Sequence, residues 1–327
     1  MLETIYVTRH GFRSNWLVDP SNGRYTAFIK SPTGGAADPA LTAHGVDQAN
    51  ELAVRLLAAD PPIERVYSSM YYRCLQTVEP FVRRAQGTEA SSSSAAAQPV
   101  LRIRGETGLG EWYGSADFEH PVPASLGTLD PLFPGLLEPN YEPAVTPNRM
   151  GEGVDELHDR VAAAMKALIG ECDRDGVRSI LLCSHAAVII ALGRVLTGRM
   201  PDNIDVEDFK CFTCGLSEYR RRPCSGTETK ATDAAAARDA DHHGRDKPVL
   251  AWRGGQGVSG GWDCELNSDC AHLSLGEERG WRFSGDESFK DMATGQSILD
   301  TTTRLGPVLD DRGRDSGHRG DGSRGKL

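Results

Sequence analysis

The chain has 327 residues, 39% hydrophobic and 25% charged, with 36 basic side chains against 46 acidic ones and a net charge of -10. At ~150 residues per domain this is one large domain or two ordinary ones, with chain enough to bury a core. The acidic balance argues against a general binder of nucleic-acid phosphates, which carries a basic face, and no run approaches the ~18 apolar residues of a membrane span. Residues 1–8 have no basic stretch followed by an apolar core, so no secretory leader is expected. Eight cysteines scattered along the chain do not form a disulfide framework, which points to a reducing compartment, cytosol or nucleus.

From residue 1 to 222 short β-rich runs alternate with helical patterns, as in an α/β domain. Residues 4–8 (TIYVT) read as the first strand. Thr42 then caps a helix whose Val46, Ala49, Leu52, Ala53, Leu56 and Leu57 recur at helical spacing. Residues 65–68 (RVYS) form the next strand and a helix opens after Ser69, whereas the serines and alanines from residue 91 onward read as a low-complexity surface loop. A further strand is expected at 100–103 (VLRI). Residues 121–147 hold seven of the 18 prolines, too many for regular structure, so this stretch is a lid, a binding surface or disorder. Val154, Leu157, Val161, Ala164, Met165 and Leu168 share one helix face; residues 179–183 (SILLC) are a strand, 186–196 a helix and 212–219 a last strand. Cys211 and Cys214 form the one C-x-x-C. Three apart on a strand, they face opposite ways, so a shared metal is geometrically awkward.

Beyond Arg222 the composition changes. Residues 223–246 lack apolar periodicity and read as a flexible linker in which His242 and His243 are solvated. Residues 247–292 regain aromatic content, with Trp252, Trp262, Trp281, Phe283 and Phe289 punctuated by glycines, and form a small β segment. About 45 residues rarely bury enough area to fold alone, so residues 247–290 are expected to need a partner; packing on the first domain is the plainer alternative. Residues 293–327 read as a disordered tail.

Three strand-to-helix junctions carry the chemistry. Arg9-His10-Gly11 follows the first strand, Ser68-Ser69 leads to Arg73, and His185 follows residues 179–183, with Arg13 a short step from His10. Such cations cannot be buried together without an anionic partner. A phosphate suits, since planar guanidinium forks match its oxygens.

These motifs, in this order over residues 1–222, resemble the histidine phosphatase (phosphoglycerate-mutase-like) superfamily. The resemblance implies a three-layer α/β sandwich, a mostly parallel sheet flanked by helices, acting on phosphorylated small molecules or proteins without metal or cofactor. His10 resembles the family's nucleophile, which becomes a phosphohistidine. Arg9, Arg13, Arg73 and His185 resemble its phosphate pocket, and Glu111, in GLGEWYG, its general acid. That last role asks for a raised pKa, which Trp112 and Tyr113 could supply. Phe12 and Arg13 stand where many members have a carboxylate or glutamine, and Ala186-Ala187 where they have a glycine pair, which alters the substrate shelf and leaves the phosphoryl-transfer core. The Trp/Gly-rich segment resembles that of the histidine-phosphatase-bearing small subunits of transcription factor IIIC. This implies a larger subunit of that factor as partner through residues 247–290, a nuclear address and DNA contact left to other subunits. A catalytically silent assembly subunit and a stand-alone phosphoglycerate-mutase-like phosphatase are the alternatives.

Overall fold

The computed structural model describes residues 1–19, 21–27, 29–91, 100–223 and 251–283, without the side chains of 88–91. Most of the expected linker, the tail at 293–327, most of the serine/alanine loop and residues 284–292 lie outside the described residues.

β1 (Thr4–Arg9) is buried along its whole length, as a strand covered on both faces must be. A hairpin of β2 (Trp16–Asp19) and β3 (Arg24–Ala27) stands apart from the main sheet. β4 (Arg65–Ser68), β5 (Ile103–Gly105) and β6 (Ser179–Ser184) run parallel to β1, β7 (Leu216–Arg221) is antiparallel to it, and β8 (Trp262–Asp269) is antiparallel to β7. The resulting six-stranded sheet has the order β5-β4-β6-β1-β7-β8. Its four adjacent parallel strands end at one edge, so the loops that follow them meet there.

The alternation of side chains along the strands builds two cores. Tyr6, Val66, Leu181 and Cys183 face the layer of α1 (Ala43–Leu57) and α2 (Tyr72–Ser91). Ile5, Val7, Ile180 and Leu182 face the opposite layer. That layer holds α4 (Val154–Asp175) and α5 (Ala186–Thr197), the latter buried on all sides. The three-layer α/β sandwich expected from the sequence is the architecture found. Thr42 caps α1 as its position predicts, its hydroxyl accepting from Gly45 N at 3.1 Å. Among the described residues no helix is long and apolar enough to cross a membrane.

Three local expectations shift. The strand expected at 100–103 occupies 103–105, because the proline-rich stretch ties into its start: Ile103 N donates to Leu136 O at 2.7 Å and Glu138 N to Ile103 O at 2.9 Å. The strand expected at 212–219 begins only at Leu216, because Cys214 takes φ 54 and Thr213 makes an isolated bridge to Arg9. Cys211 and Cys214 are therefore not strand neighbours. The proline-rich stretch itself holds one short helix, α3 (Leu126–Leu129).

Residues 251–283 pack on the first domain, the plainer of the two alternatives for that segment. β8 extends the central sheet, and Trp252 and Trp262 are fully buried in the core of α4 and α5. Trp262 Nε1 donates to Val258 O at 3.1 Å, and Trp252 stacks on His158. The segment's small core thus merges into a larger one belonging to the same chain, which removes the physical need for a partner in burying these rings. Trp262→Ala should lower the stability of the whole domain by about 3–5 kcal/mol, read as an earlier, still single transition in chemical denaturation of the full chain. An unmoved main transition would show that the segment folds as a separate unit.

Candidate active site

The site forms where β1, β4 and β6 end. His10 follows β1, its N–H held by Ser184 O at 3.0 Å. Its Nδ1 lies 2.8 Å from Gly11 O. A carbonyl only accepts, so Nδ1 carries the proton and Nε2 keeps its lone pair. Burial, then the charges of Arg73 and Arg9, hold the ring well below the usual histidine pKa, so it is a neutral base. Glycine follows because the backbone passes tightly against α1: a Cβ on Gly11 would stand 2.8 Å from Gly45 O. Gly11 N is anchored on Thr77 Oγ1 at 3.0 Å.

Arg73, on the first turn of α2, reaches back across the sheet edge. Its Nη1 donates to Ala37 O and Asp38 Oδ1 at 3.1 and 3.3 Å, and its Nη2 to Glu111 Oε2 at 3.0 Å. The same Glu111 oxygen lies 3.2 Å from His185 Nδ1. His185, at the start of α5, is held from its other side by Ser69 Oγ, 2.8 Å from Nε2. Burial favours its neutral form, but Cys74 and Glu111 beside it carry its pKa above the ordinary value.

Arg9 and Arg13 complete the cluster, both almost wholly buried. Arg9 Nη1 donates to the carbonyls of Cys211, at 2.8 Å, and Arg279. Arg13 stacks over Trp16, its Cζ 3.7 Å from the ring centroid, and donates to Ser14 O at 2.9 Å. The Nε atoms of Arg9, Arg13 and Arg73 are buried without a hydrogen-bond partner. The cluster therefore keeps donors that an anion could satisfy.

All six residues singled out in the sequence converge here, but the ionisation of Glu111 is opposite to the expectation. Burial raises its pKa, yet His185, Arg73 and Arg13 outweigh burial and hold the carboxyl far below the usual range. Trp112 and Tyr113 are close in sequence; the cations decide the charge. His10, Glu111 and His185 each offer one ligand atom within 4.8 Å of the others, a spacing that could hold a cation. Three buried guanidiniums around one ionised glutamate favour an anion instead.

Several supporting residues were not read from the sequence. The loop carrying Glu111 is pinned by Arg160 Nη1 on Gly108 O and Gly110 O at 2.7 and 3.1 Å and by Ser184 Oγ on Leu109 O at 2.7 Å. Buried Glu106 accepts from Gly108 N at 2.7 Å, Tyr141 Oη at 2.7 Å and Ala144 N at 2.8 Å, tying the proline-rich stretch to the site. The C-terminal segment returns to the pocket as well. Arg279 stacks over Phe12, its Cζ 3.6 Å from the ring centroid, and donates to Arg13 O at 3.3 Å. Glu278 Oε2 accepts from Gln48 Nε2 at 2.7 Å, and Gln48 Oε1 from Phe12 N at 2.9 Å. An Asn-Gly pair at 22–23, with Gly23 at φ 69, was the available signal for the hairpin that brings Trp16 beneath the arginines.

The sequence profile of the histidine phosphatase superfamily (branch 1) matches residues 5–233. The transcription factor tau 55 kDa subunit of Saccharomyces cerevisiae is 32% identical over 86% of this chain and 59% of its own length. The ecdysteroid-phosphate phosphatase of Bombyx mori is 25% identical over 58% of this chain and 28% of its own. The chain thus spans less than two thirds of either relative. A solved structure of the ecdysone phosphate phosphatase from Bombyx mori, in complex with tungstate, aligns with a TM-score of 0.48 and 22% identity, covering 67% of this chain and 89% of that one.

Because Glu111 is ionised through Arg73 and His185, a dianion that takes over these partners should raise its pKa and draw in a proton. Sulfate, itself fully ionised, should bind with net proton uptake, seen by calorimetry in buffers of different ionisation enthalpy, and more tightly as pH falls from 8 to 6. Glu111→Gln should abolish the uptake. Equal uptake in both proteins would assign the proton elsewhere.

Proposed function

Since the chain belongs to the histidine phosphatase superfamily, we propose that it is a phosphomonoester phosphatase that works without metal through a phosphohistidine at His10. Arg9, Arg13, Arg73 and His185 bind the phosphoryl group, and Glu111 is the general acid. The observation that carries this reading is the fixed tautomer of His10, whose Nδ1–H is committed to Gly11 O and whose Nε2 lone pair faces a pocket of buried cations.

In the first step Nε2 attacks phosphorus, a P–N bond forms as the P–O ester bond breaks, and the leaving oxygen takes the proton of Glu111. That proton is the one acquired when the phosphate displaces the carboxylate from Arg73. In the second step water attacks phosphorus, the P–N bond breaks, and the water proton returns to Glu111. The guanidiniums offset charge on the equatorial oxygens throughout, so the protein's contribution is positioning and electrostatics.

The domain at 1–222, joined through 223–246 to a segment docked back upon it, belongs in this reading to a small subunit of transcription factor IIIC. The similarity to the yeast tau subunit supports that assignment and a nuclear address. A larger subunit would engage residues 247–290, in this reading by adding a strand beside β8, one of the two outer strands of the sheet among the described residues. An assembly role without catalysis is favoured by one observation, the engagement of Arg9 Nη1 by two backbone carbonyls.

Turnover of an aryl phosphate by the full chain decides between the two. The enzyme reading expects activity that survives a chelator and falls about a thousandfold or more in His10→Ala. Activity retained by His10→Ala, or lost to the chelator, would overturn it; inactivity of the unsubstituted chain would leave the assembly role.

A further inference from the structure

The proline-rich stretch at 121–147 walls a cavity of about 410 Å³ that opens onto Ser69 and Glu111. Its other walls include Met70, Tyr71, Ile103, Leu126, Leu137 and Tyr141. We propose that this chamber receives the alcohol part of the substrate, and that the substrate is a phosphomonoester of a bulky, apolar alcohol. The inference rests on the phosphatase reading for the position of the phosphorus and adds what is attached to it.

The position follows from the chemistry. The ester oxygen leaves on the side of the group that protonates it, so the alcohol lies beyond Glu111, where the chamber is. The walls set the class. Arg149 is the one Lys or Arg on the lining, and it is exposed and ion-paired with Glu119; of the acidic residues there, Glu152 is ion-paired with Arg160 and Glu138 also lines the space. A carboxylate or second phosphate on the alcohol would find no unpaired Lys or Arg on these walls, while an apolar group would release water from aromatic, aliphatic and proline surface. This separates the chain from a phosphoglycerate mutase, whose substrate is anionic at both ends.

The chamber is preformed. Glu106 holds Tyr141 and the backbone of Ala144, Tyr71 Oη donates to Pro121 O at 2.6 Å, and Thr107 Oγ1 to Val145 O at 2.6 Å. At its base Met70 crosses Gly105 so closely that a Cβ there would lie 1.9 Å from the sulfur. The volume falls within the ~300–1,000 Å³ of small-molecule sites, room for a fused bicyclic ring.

The test is calorimetric binding of methyl phosphate, 2-naphthyl phosphate and 3-phosphoglycerate to the full chain carrying His10→Ala, which cannot be phosphorylated there. The same esters are then bound to a chain also carrying Ala124→Trp, which places an indole in the chamber from a half-buried loop position. The naphthyl ester should bind at least tenfold tighter than the methyl ester, 3-phosphoglycerate should bind no tighter than the methyl ester, and Ala124→Trp should bring the naphthyl-to-methyl ratio below about threefold. Because each ratio is taken within one protein, partial misfolding of a variant cancels. Similar affinities for naphthyl and methyl esters, or a ratio indifferent to Ala124→Trp, would overturn the chamber assignment while leaving the phosphate site standing. A phosphotyrosine peptide with polar flanks binding tenfold tighter than the naphthyl ester would overturn it in favour of a protein substrate. No binding of any ester would overturn both readings.

Discussion

Arg9, Arg13 and Arg73 are buried in one pocket in which Glu111 and Asp38 are the nearest carboxylates, and Arg73 uses both. Burying three guanidiniums costs several kcal/mol per ion before compensation. The structure around them is arranged to offset that cost without neutralising the pocket. Carbonyls of Cys211, Arg279, Ala37 and Ser14 accept from the guanidiniums, and the face of Trp16 lies under Arg13. Backbone dipoles and an aromatic quadrupole hold the cations in place yet leave an excess of positive charge, which suits a dianion and, after burial itself, keeps His10 unprotonated.

That constraint explains why so much of the chain converges on a small volume. The parallel strands deliver His10, Ser69 and His185 to one edge, and the helices that start there carry Arg73 and the N-terminus of α5. Elements outside the sandwich are then needed to finish the pocket. The β2–β3 hairpin supplies Trp16, residues 106–111 supply Glu111 under the control of Arg160 and Ser184, and residues 278–279 of the C-terminal segment brace Phe12, Arg13 and Arg9. The C-terminal segment is thus part of both the hydrophobic core, through Trp252 and Trp262, and the back wall of the arginine pocket. A ligand or subunit that shifted this segment would act on the arginines directly.

What the sequence disclosed follows from the range of the interactions involved. The α/β alternation, the Thr42 cap and the three junction motifs are local signals, and they located His10, Arg73 and His185 as well as the helices. Glu111 was placed by motif but given the wrong charge, because its local neighbours are aromatic and its decisive partners, Arg73 and His185, are distant in the chain. Glu106, Arg160 and Asp38 carry no local signal; the partners of Glu106 and Arg160 arise only when the proline-rich stretch and α4 close over the sheet edge, and that of Asp38 only when Arg73 on α2 reaches residues 37–38. The segment after residue 250 looked too small to fold because its core was counted alone, whereas its two buried tryptophans enter the core of α4 and α5.

The central claim is that the buried cations serve covalent phosphoryl transfer to one particular nitrogen. It is tested most directly by mixing the full chain with an aryl phosphate, quenching in alkali, in which phosphohistidine survives, and mapping the phosphoryl group by mass spectrometry. A phosphoryl group is expected on the peptide containing His10, attached at Nε2, and on no peptide of His10→Ala mixed with the same ester. Turnover with no phosphorylated His10 at any quench time, or a phosphoryl group on His185 or another side chain, would contradict it.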